Sequence, residues 1–404
     1  MPKNIVLVAA LDTKGQEAGL VRDYIRSRGH TVIVVDCGVL GPASIQADIS
    51  RDELATAGGS SLDALLHRND RGHAMDVMTR GMAVLALRLH AAGRLDGIIG
   101  IGGSAGTSVG TSGMRVLPTG VPKVMLSTVA SGDTKPYVGI KDITMMYSVV
   151  DIAGINRLSR RILTNAAGAI CGMVEAPADA DDDSEKPMIA ATMFGVTTPC
   201  ITRAREVLER AGYEVLVFHA TGSGGQAMES LIADGYIAGV LDATTTEWAD
   251  ELVGGTLTAG PHRLEAAGRR GIPQVVSVGA LDMVNFGAPD TVPDRFRDRN
   301  LHQHNPYVTL MRTTLEENSL FGKVIAEKLN MATGPTVLFL PLQGVSLYDM
   351  PGGPFEDREA RVALFDALRR HIDPTKVRVV ELDDALNDVP FADAMANTLI
   401  DLLR

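Results

Sequence analysis

The stretch GIIGIGGSAGTSVGTSGM, Gly97 to Met114, joins a short apolar run to a loop of Gly, Ser and Thr. Gly97–Ile101 has the length and composition of a buried strand. The residues after it carry no bulky side chains to shield their backbone N–H groups. Several such groups in one concavity, backed by the positive end of a following helix, hold phosphate oxygens. A tight strand-to-helix turn that holds nothing is the plain alternative. No G-x-x-x-x-G-K-[ST] occurs in the chain, so the loop brings no lysine and any cation has to come from elsewhere. Gly100-x-Gly102-x-x-Ala105 meets only a loosened dinucleotide fingerprint, and no acidic residue follows about twenty positions on to hold a ribose. A nicotinamide cofactor is disfavoured here.

Outward from this unit the chain repeats itself. IVLVAALDT, a helix over 16–28 and VIVVDCG are answered by MIAATMFGVTT, a helix over 201–211 and VLVFHATG. GRLDGIIGIGG is matched by GYIAGVLDATT, and GVPKVMLSTVASG by GIPQVVSVGALDM. Tyr137–Met173 and Tyr307–Leu329 each lead from a strand-like piece into a long helix. Four such pairs in one order indicate two related domains. Between them EAPADADDDSEKP turns to acid, Ala and Pro, a composition unable to bury enough surface to order itself. The expected division is residues 1–175, an acidic linker over 176–187, and 188–404 with terminal helices. Strands alternating with helices imply α/β domains with doubly wound parallel sheets, and ligands at the carboxyl ends of the strands.

Composition agrees with this frame. The chain has 404 residues, more than one core usually covers, with 45% hydrophobic and 22% charged residues. A net charge of −11 disfavours a nucleic-acid surface. No apolar run is long enough to span a membrane. Three cysteines without a C-x-x-C pair suit a reducing, cytoplasmic setting, and a homo-oligomer, most simply a dimer, is the base expectation.

LDTKG (11–15), GIGGSAGTS (100–108), LPTGVPKVMLSTVASG (117–132), YVGIKDI (137–143) and SVVDIAGIN (148–156) mark the first half. GVTTPC (195–200), VFHATGSGGQAMES (217–230), TTTEWADELVGG (244–255), GALDMVNF (279–286) and HNPYVTLMRTT (304–314) mark the second. Together they resemble the Tm-1-like family, also catalogued as an uncharacterised protein family. The resemblance implies two Rossmann-like halves, and ATP with Mg2+ in the first half; a cleft between the halves is expected to hold a small molecule. The plant antiviral member that names the family has a further C-terminal barrel without counterpart in this sequence, so antiviral inhibition is not carried over. By the resemblance, Lys14 faces phosphate and Arg80 is a second cation. Gly102, Gly103, Ser104, Gly106 and Thr107 hold phosphates. Ser127, Thr128, Ala130, Ser131 and Gly132 form the next wall, and Asn156 reads base or ribose. For Arg80 a plain helix-surface role is equally open, and for the Ser-Thr loop so is helix capping. Magnesium needs one or two carboxylates besides phosphate and water, and Asp12 beside Lys14 is the candidate.

The second half concentrates proton-transfer groups: His219, Glu247, Asp282 and His304. Gly222-x-Gly224-Gly225 with Asp242 twenty residues past Gly222 meets the loosened dinucleotide pattern, although it is not the first unit of its half. Thr244-Thr245-Thr246-Glu247 reads as a capping box for a helix over 248–252 or as the grip on a small anion. His302 and His304 of HQHNP lack a clear third zinc ligand. The leading expectation is a Mg-ATP-binding protein with a small-molecule ligand, and phosphoryl or nucleotidyl transfer to a small acid if it is an enzyme. The alternatives are a non-catalytic ATP-dependent sensor and a dinucleotide enzyme built on Gly222–Asp242.

Overall fold

The structure, a computed structural model, describes residues 2–176 and 186–404. It divides into two compact units, Met1–Asp181 and Asp182–Arg404. Most of the acidic segment 176–187 lies outside the described residues.

The N-terminal unit runs β1 (Asn4–Ala9), α1 (Leu11–Ser27), β2 (Thr31–Asp36), α2 (Arg51–Ala57), α3 (Leu62–Arg68), α4 (Arg71–Ala91), β3 (Gly97–Gly102), α5 (Ser104–Val116), β4 (Lys123–Ser127), α6 (Lys135–Val138), β5 (Thr144–Tyr147) and α7 (Arg157–Glu175). Its five strands form a parallel sheet in the order β2-β1-β3-β4-β5. Alternate residues of each strand face opposite sides. Ile5 and Leu7 of β1 therefore join Val21, Ile25 and Ile170 under α1 and α7, while Val6 and Val8 join Leu54, Met78 and Met114 under α2, α4 and α5. The order reverses between β1 and β3, where the connections after the two strands diverge and leave a crevice.

The C-terminal unit runs β6 (Met188–Met193), α8 (Thr198–Arg210), β7 (Glu214–His219), α9 (Ser223–Asp234), β8 (Gly239–Thr244), α10 (Glu247–Val253), α11 (Ala266–Arg270), β9 (Gln274–Gly279), β10 (Met283–Phe286), β11 (Leu301–Asn305), β12 (Val308–Arg312), α12 (Leu315–Leu329), β13 (Thr336–Pro341), α13 (Arg358–His371), β14 (Val377–Leu382) and α14 (Val389–Leu403). Its parallel sheet has the order β14-β13-β9-β8-β6-β7. The segment β7-β6-β8-β9 repeats the order β2-β1-β3-β4, so the sequence repeat is also a repeat of topology.

The repeat stops after the fourth strand. Tyr307–Leu329 does not continue the parallel sheet as Tyr137–Met173 does. Its strand β12 lies in a separate antiparallel sheet, β10-β12-β11, and β13 takes the position beside β9. The reason is the connection length. Pro306 and Tyr307 alone separate β11 from β12, which permits a hairpin but not a parallel crossover of a dozen or more residues. Among the described residues no helix is long and apolar enough to cross a membrane.

Candidate functional site

A cavity of about 550 Å3 opens at the reversal point of the N-terminal sheet. Its floor is the junction of β1 with α1 (Ala10, Asp12–Lys14), the residue after β2 (Cys37) and the turn from β3 into α5 (Ile101–Gly106). Gly102 and Gly106 are glycines because strand and helix meet there, with a Cβ on Gly102 falling 2.8 Å from Gly106 Cα. Gly103 is different. It is the N-cap of α5, it provides no side-chain cap, and a Cβ on it would meet nothing closer than Thr128 Oγ1 at 3.6 Å. The first-turn N–H groups of a helix have no intrahelical acceptor, and Ser104, Ala105 and Gly106, which carry those of α5, border the cavity. The neighbouring helix α1 is not free in this way, since Asp36 Oδ1 accepts from Leu11 N–H at 3.0 Å and Gly38 N–H at 2.9 Å.

Lys14 lines the cavity, and its Nζ donates to Ile152 carbonyl at 2.6 Å. Beside it Glu17 is buried and accepts from Gly154 N–H at 2.6 Å, so α1 ties down the loop after β5. Asp12 also lines the cavity, with Oδ2 accepting from Leu40 N–H (2.8 Å) and Gly41 N–H (3.2 Å). Its Oδ1 accepts no hydrogen bond among the described residues and is the oxygen a magnesium ion would take. No cluster of three or more His, Cys, Asp or Glu suited to a metal occurs among the described residues, so such an ion would lean on phosphate and water. Cys37 contributes a neutral thiol, its pKa pushed up to about 12 by burial and by the charges of Asp36 and Asp12.

Several residues singled out from the sequence lie elsewhere. Arg80 is an exposed residue of α4 whose Nε donates to Gly58 carbonyl at 3.3 Å, and it does not line the cavity. The cation on this wall is Arg71, the first residue of α4, whose side chain makes no hydrogen bond or ion pair among the described residues. Thr107 and Ser127 are buried and share a hydrogen bond of 2.6 Å, while Thr107 Oγ1 also contacts Gly103 carbonyl at 2.8 Å. They position the α5 turn from behind. Thr128, Ala130, Ser131 and Gly132 fall outside the cavity lining, although Thr128 N–H donates to Gly102 carbonyl at 3.2 Å. Asn156 is the N-cap of α7, accepting from Leu158 and Ser159 N–H at 2.9 Å in a capping box. The apolar wall of Val39, Leu40, Leu65, Leu66 and Met75 carried no sequence signal beyond the helix break at Asn69-Asp70, where Asp70 caps α4.

The corresponding region of the C-terminal unit is filled by its own side chains. Glu247 Oε1 accepts from Gly222 N–H (2.7 Å) and Gly225 N–H (3.1 Å), donors at the start of α9. A Cβ at Gly225 would collide with this carboxylate. Arg263, fully buried, donates through Nε to Glu247 at 2.7 Å and through its two terminal nitrogens to Asp242 at 2.5 and 2.7 Å. Asp242 thus pairs with an arginine, and Glu247 serves neither as a capping-box member nor as an exposed proton carrier. Thr246, the N-cap of α10, makes no side-chain cap, and its buried Oγ1 has no partner among the described residues.

The other expected proton carriers are dispersed. Asp282 is buried, accepts from Ser346 Oγ at 2.8 Å, and leaves Oδ1 without a partner among the described residues. Burial and the neighbouring Asp349 charge push its pKa up. His219 is exposed at the end of β7, edge-on to Phe194. His304 is exposed on β11, its Nδ1 3.1 Å from Tyr348 Oη, and His302 stacks edge-on against Tyr348 and Phe355.

Comparison with known proteins covers both units. Residues 3–179 match the N-terminal domain, and residues 186–403 the C-terminal domain, of the uncharacterised protein family UPF0261. A UPF0261 protein of Clostridium tetani is 56% identical over 404 residues, the whole of both chains. One of Mesorhizobium japonicum is 48% identical over 403 residues, again the whole of both. The ToMV resistance protein Tm-1(GCR237) of Solanum lycopersicum is 45% identical over 337 residues, which are 82% of this chain and 45% of the tomato protein. With both of its domains matched, the chain belongs to the UPF0261 family, and tomato Tm-1 proteins are among its relatives.

Proposed function

We propose that the N-terminal unit binds a nucleoside triphosphate, ATP with magnesium, in the cavity at the carboxyl ends of β1 and β3. The observation that carries this reading is the uncapped start of α5. Its first-turn N–H groups open on a space of about 550 Å3 at the reversal point of a parallel sheet, within the size range of small-molecule sites. Lys14 and Arg71 supply positive charge from two walls, and Asp12 supplies one carboxylate for magnesium. Charge-assisted contacts to phosphate are the strong hydrogen bonds of such a site. Titration calorimetry of the whole chain with ATP and Mg2+ tests the proposal: saturable binding of one nucleotide per chain is expected, and absence of binding at millimolar ATP overturns it.

Binding without turnover is the reading that the engagement of Glu247 favours, since that carboxylate is spent on Arg263 and two backbone donors. Incubation with ATP, Mg2+ and small carboxylates, followed by nucleotide chromatography, is expected to return ATP intact. Release of ADP, AMP or diphosphate would establish phosphoryl or nucleotidyl transfer instead.

A further inference from the structure

Two non-glycine residues of the N-terminal unit have a positive φ among the described residues, Asn69 at 48° and Val149 at 65°. Asparagine tolerates the left-handed region, whereas a β-branched side chain is strained there. Val149 stands in the loop after β5, between Ser148 and Val150, and Val150 N–H donates to Ser148 carbonyl at 2.7 Å. Such a bond closed around a central residue of positive φ makes the γ-turn that is rare and strained. Packing of the valine itself does not impose it, since Val149 is 56% exposed.

A strained backbone persists only where its surroundings over-determine it, and here the flanks do so. On one side Ser148 is buried, its N–H donating to Ser127 carbonyl at 3.1 Å and its Oγ to Val150 carbonyl at 2.6 Å. On the other side α1 holds the loop with two opposite charges three residues apart. Lys14 Nζ donates to Ile152 carbonyl at 2.6 Å, and Glu17 Oε1 accepts from Gly154 N–H at 2.6 Å. Neither Ser148 nor Glu17 lines the cavity, but Lys14 does. Of the three holds on the turn, Lys14 is therefore the one within reach of a ligand.

Resting on the nucleotide reading above, we infer that the loop Ser148–Gly154 is a strained strap with Lys14 as its catch: phosphate in the cavity draws the ammonium off the Ile152 carbonyl, and the turn at Val149 relaxes. A charged phosphate oxygen is a stronger acceptor for an ammonium than a neutral carbonyl. A ligand shifts a conformational equilibrium only through its different affinities for the two states. Here that difference is whether Lys14 is engaged by the loop or open to the phosphate, and the strain at Val149 lowers what binding has to supply. The occupied cavity is then reported at β5, the edge strand of the sheet, beside the exposed side chains of Tyr147 and Val149.

Hydrogen exchange of the whole chain, read by mass spectrometry with and without millimolar Mg-ATP, tests this. Peptides over 102–108 report binding and are expected to slow, while those over 148–154 are expected to exchange about tenfold faster. In Lys14→Ala the 148–154 region should exchange about tenfold faster than in the parent with no nucleotide added. In Val149→Gly, where glycine adopts the same φ without strain, the acceleration that ATP causes should fall below about threefold. The substitution touches an exposed side chain, and an unreduced melting temperature confirms its fold. If 148–154 is unchanged or slowed by ATP while 102–108 slows, or is unchanged in Lys14→Ala, or accelerates as much in Val149→Gly as in the parent, the inference is overturned and the anion site stands. No slowing at 102–108 overturns both.

Discussion

The two glycine turns of this chain, one ahead of α5 and one ahead of α9, begin helices in sheets of matching strand order, yet one faces a cavity and the other is closed. The difference is where the acceptor comes from. Ahead of α9 the chain supplies its own, the Glu247 carboxylate, and balances it with Arg263 and Asp242 in a buried network. Ahead of α5 no side chain is supplied, and the counterpart of Gly103–Ser104 in the other unit is the buried pair Thr245–Thr246. A glycine-rich turn therefore shows only that backbone donors are accessible. Whether they serve a ligand or an internal carboxylate depends on residues far away in sequence.

Removing the charge at the closed turn should have the largest effect. Arg263→Leu leaves Asp242 and Glu247 buried without their partner, and breaking a buried pair in this way costs about 3–5 kcal/mol. Urea unfolding of the full chain should show the loss in the C-terminal unit, with ATP affinity unchanged. Full stability would mean that the network is not what holds the turn.

The closed unit should also respond to pH in a direction opposite to acid denaturation. Asp250, which accepts from the Asn285 and Leu257 N–H groups, is buried, and its pKa is raised to about 7 with desolvation as the main cause. A carboxyl whose folded pKa lies above its unfolded value stabilises fully below the unfolded value, near 4, and loses that contribution as pH rises through the folded one, here about 7. Each such proton gives a slope of at most about 1.4 kcal/mol per pH unit. Melting temperature measured between about pH 5 and pH 8 should fall for the parent and fall less for Asp250→Asn. Identical profiles would show that Asp250 is ionised throughout.

A matched pair of substitutions compares the turns directly. Gly225→Ala drives a methyl group into the Glu247 carboxylate, and overpacking of this kind costs about 1–3 kcal/mol. Gly103→Ala has room and an ordinary φ of −81°, so its stability should stay within about 0.5 kcal/mol of the parent. Equal losses in urea unfolding would erase the distinction between a filled and an open turn.

The sheets and their duplication were readable because parallel strands buried on both faces are continuous apolar runs bounded by glycine, and the repeat preserved them in order. The antiparallel sheet was hidden, since Leu301–Asn305 is polar and largely exposed and resembles a loop. At the site, the glycine turn, Lys14 and Asp12 stand next to their strands and were legible. Arg71 was not, because it opens a helix that two other helices separate from the preceding strand β2, and no local pattern encodes where α3 and α4 bring it. Glu247 misled for a related reason: a carboxylate after a strand looks the same whether solvent or a buried arginine awaits it.

The smallest effects separate the cations of the open turn. Lys14→Ala removes a charge-assisted contact and should weaken ATP binding by about 1–3 kcal/mol in calorimetry. Its Nζ donates to the Ile152 carbonyl, so this substitution also releases the loop after β5. Lys14→Met preserves the length of the side chain without the charge and isolates the phosphate contribution. Arg80 is the control, since it lies outside the cavity lining and donates to Gly58 carbonyl. Arg80→Ala should leave ATP affinity within about 0.5 kcal/mol of the parent, because a charge on an exposed helix face is screened by water and salt before it reaches the phosphates. A loss equal to that of Lys14→Met would put Arg80 against the nucleotide and move the binding site away from the α5 turn.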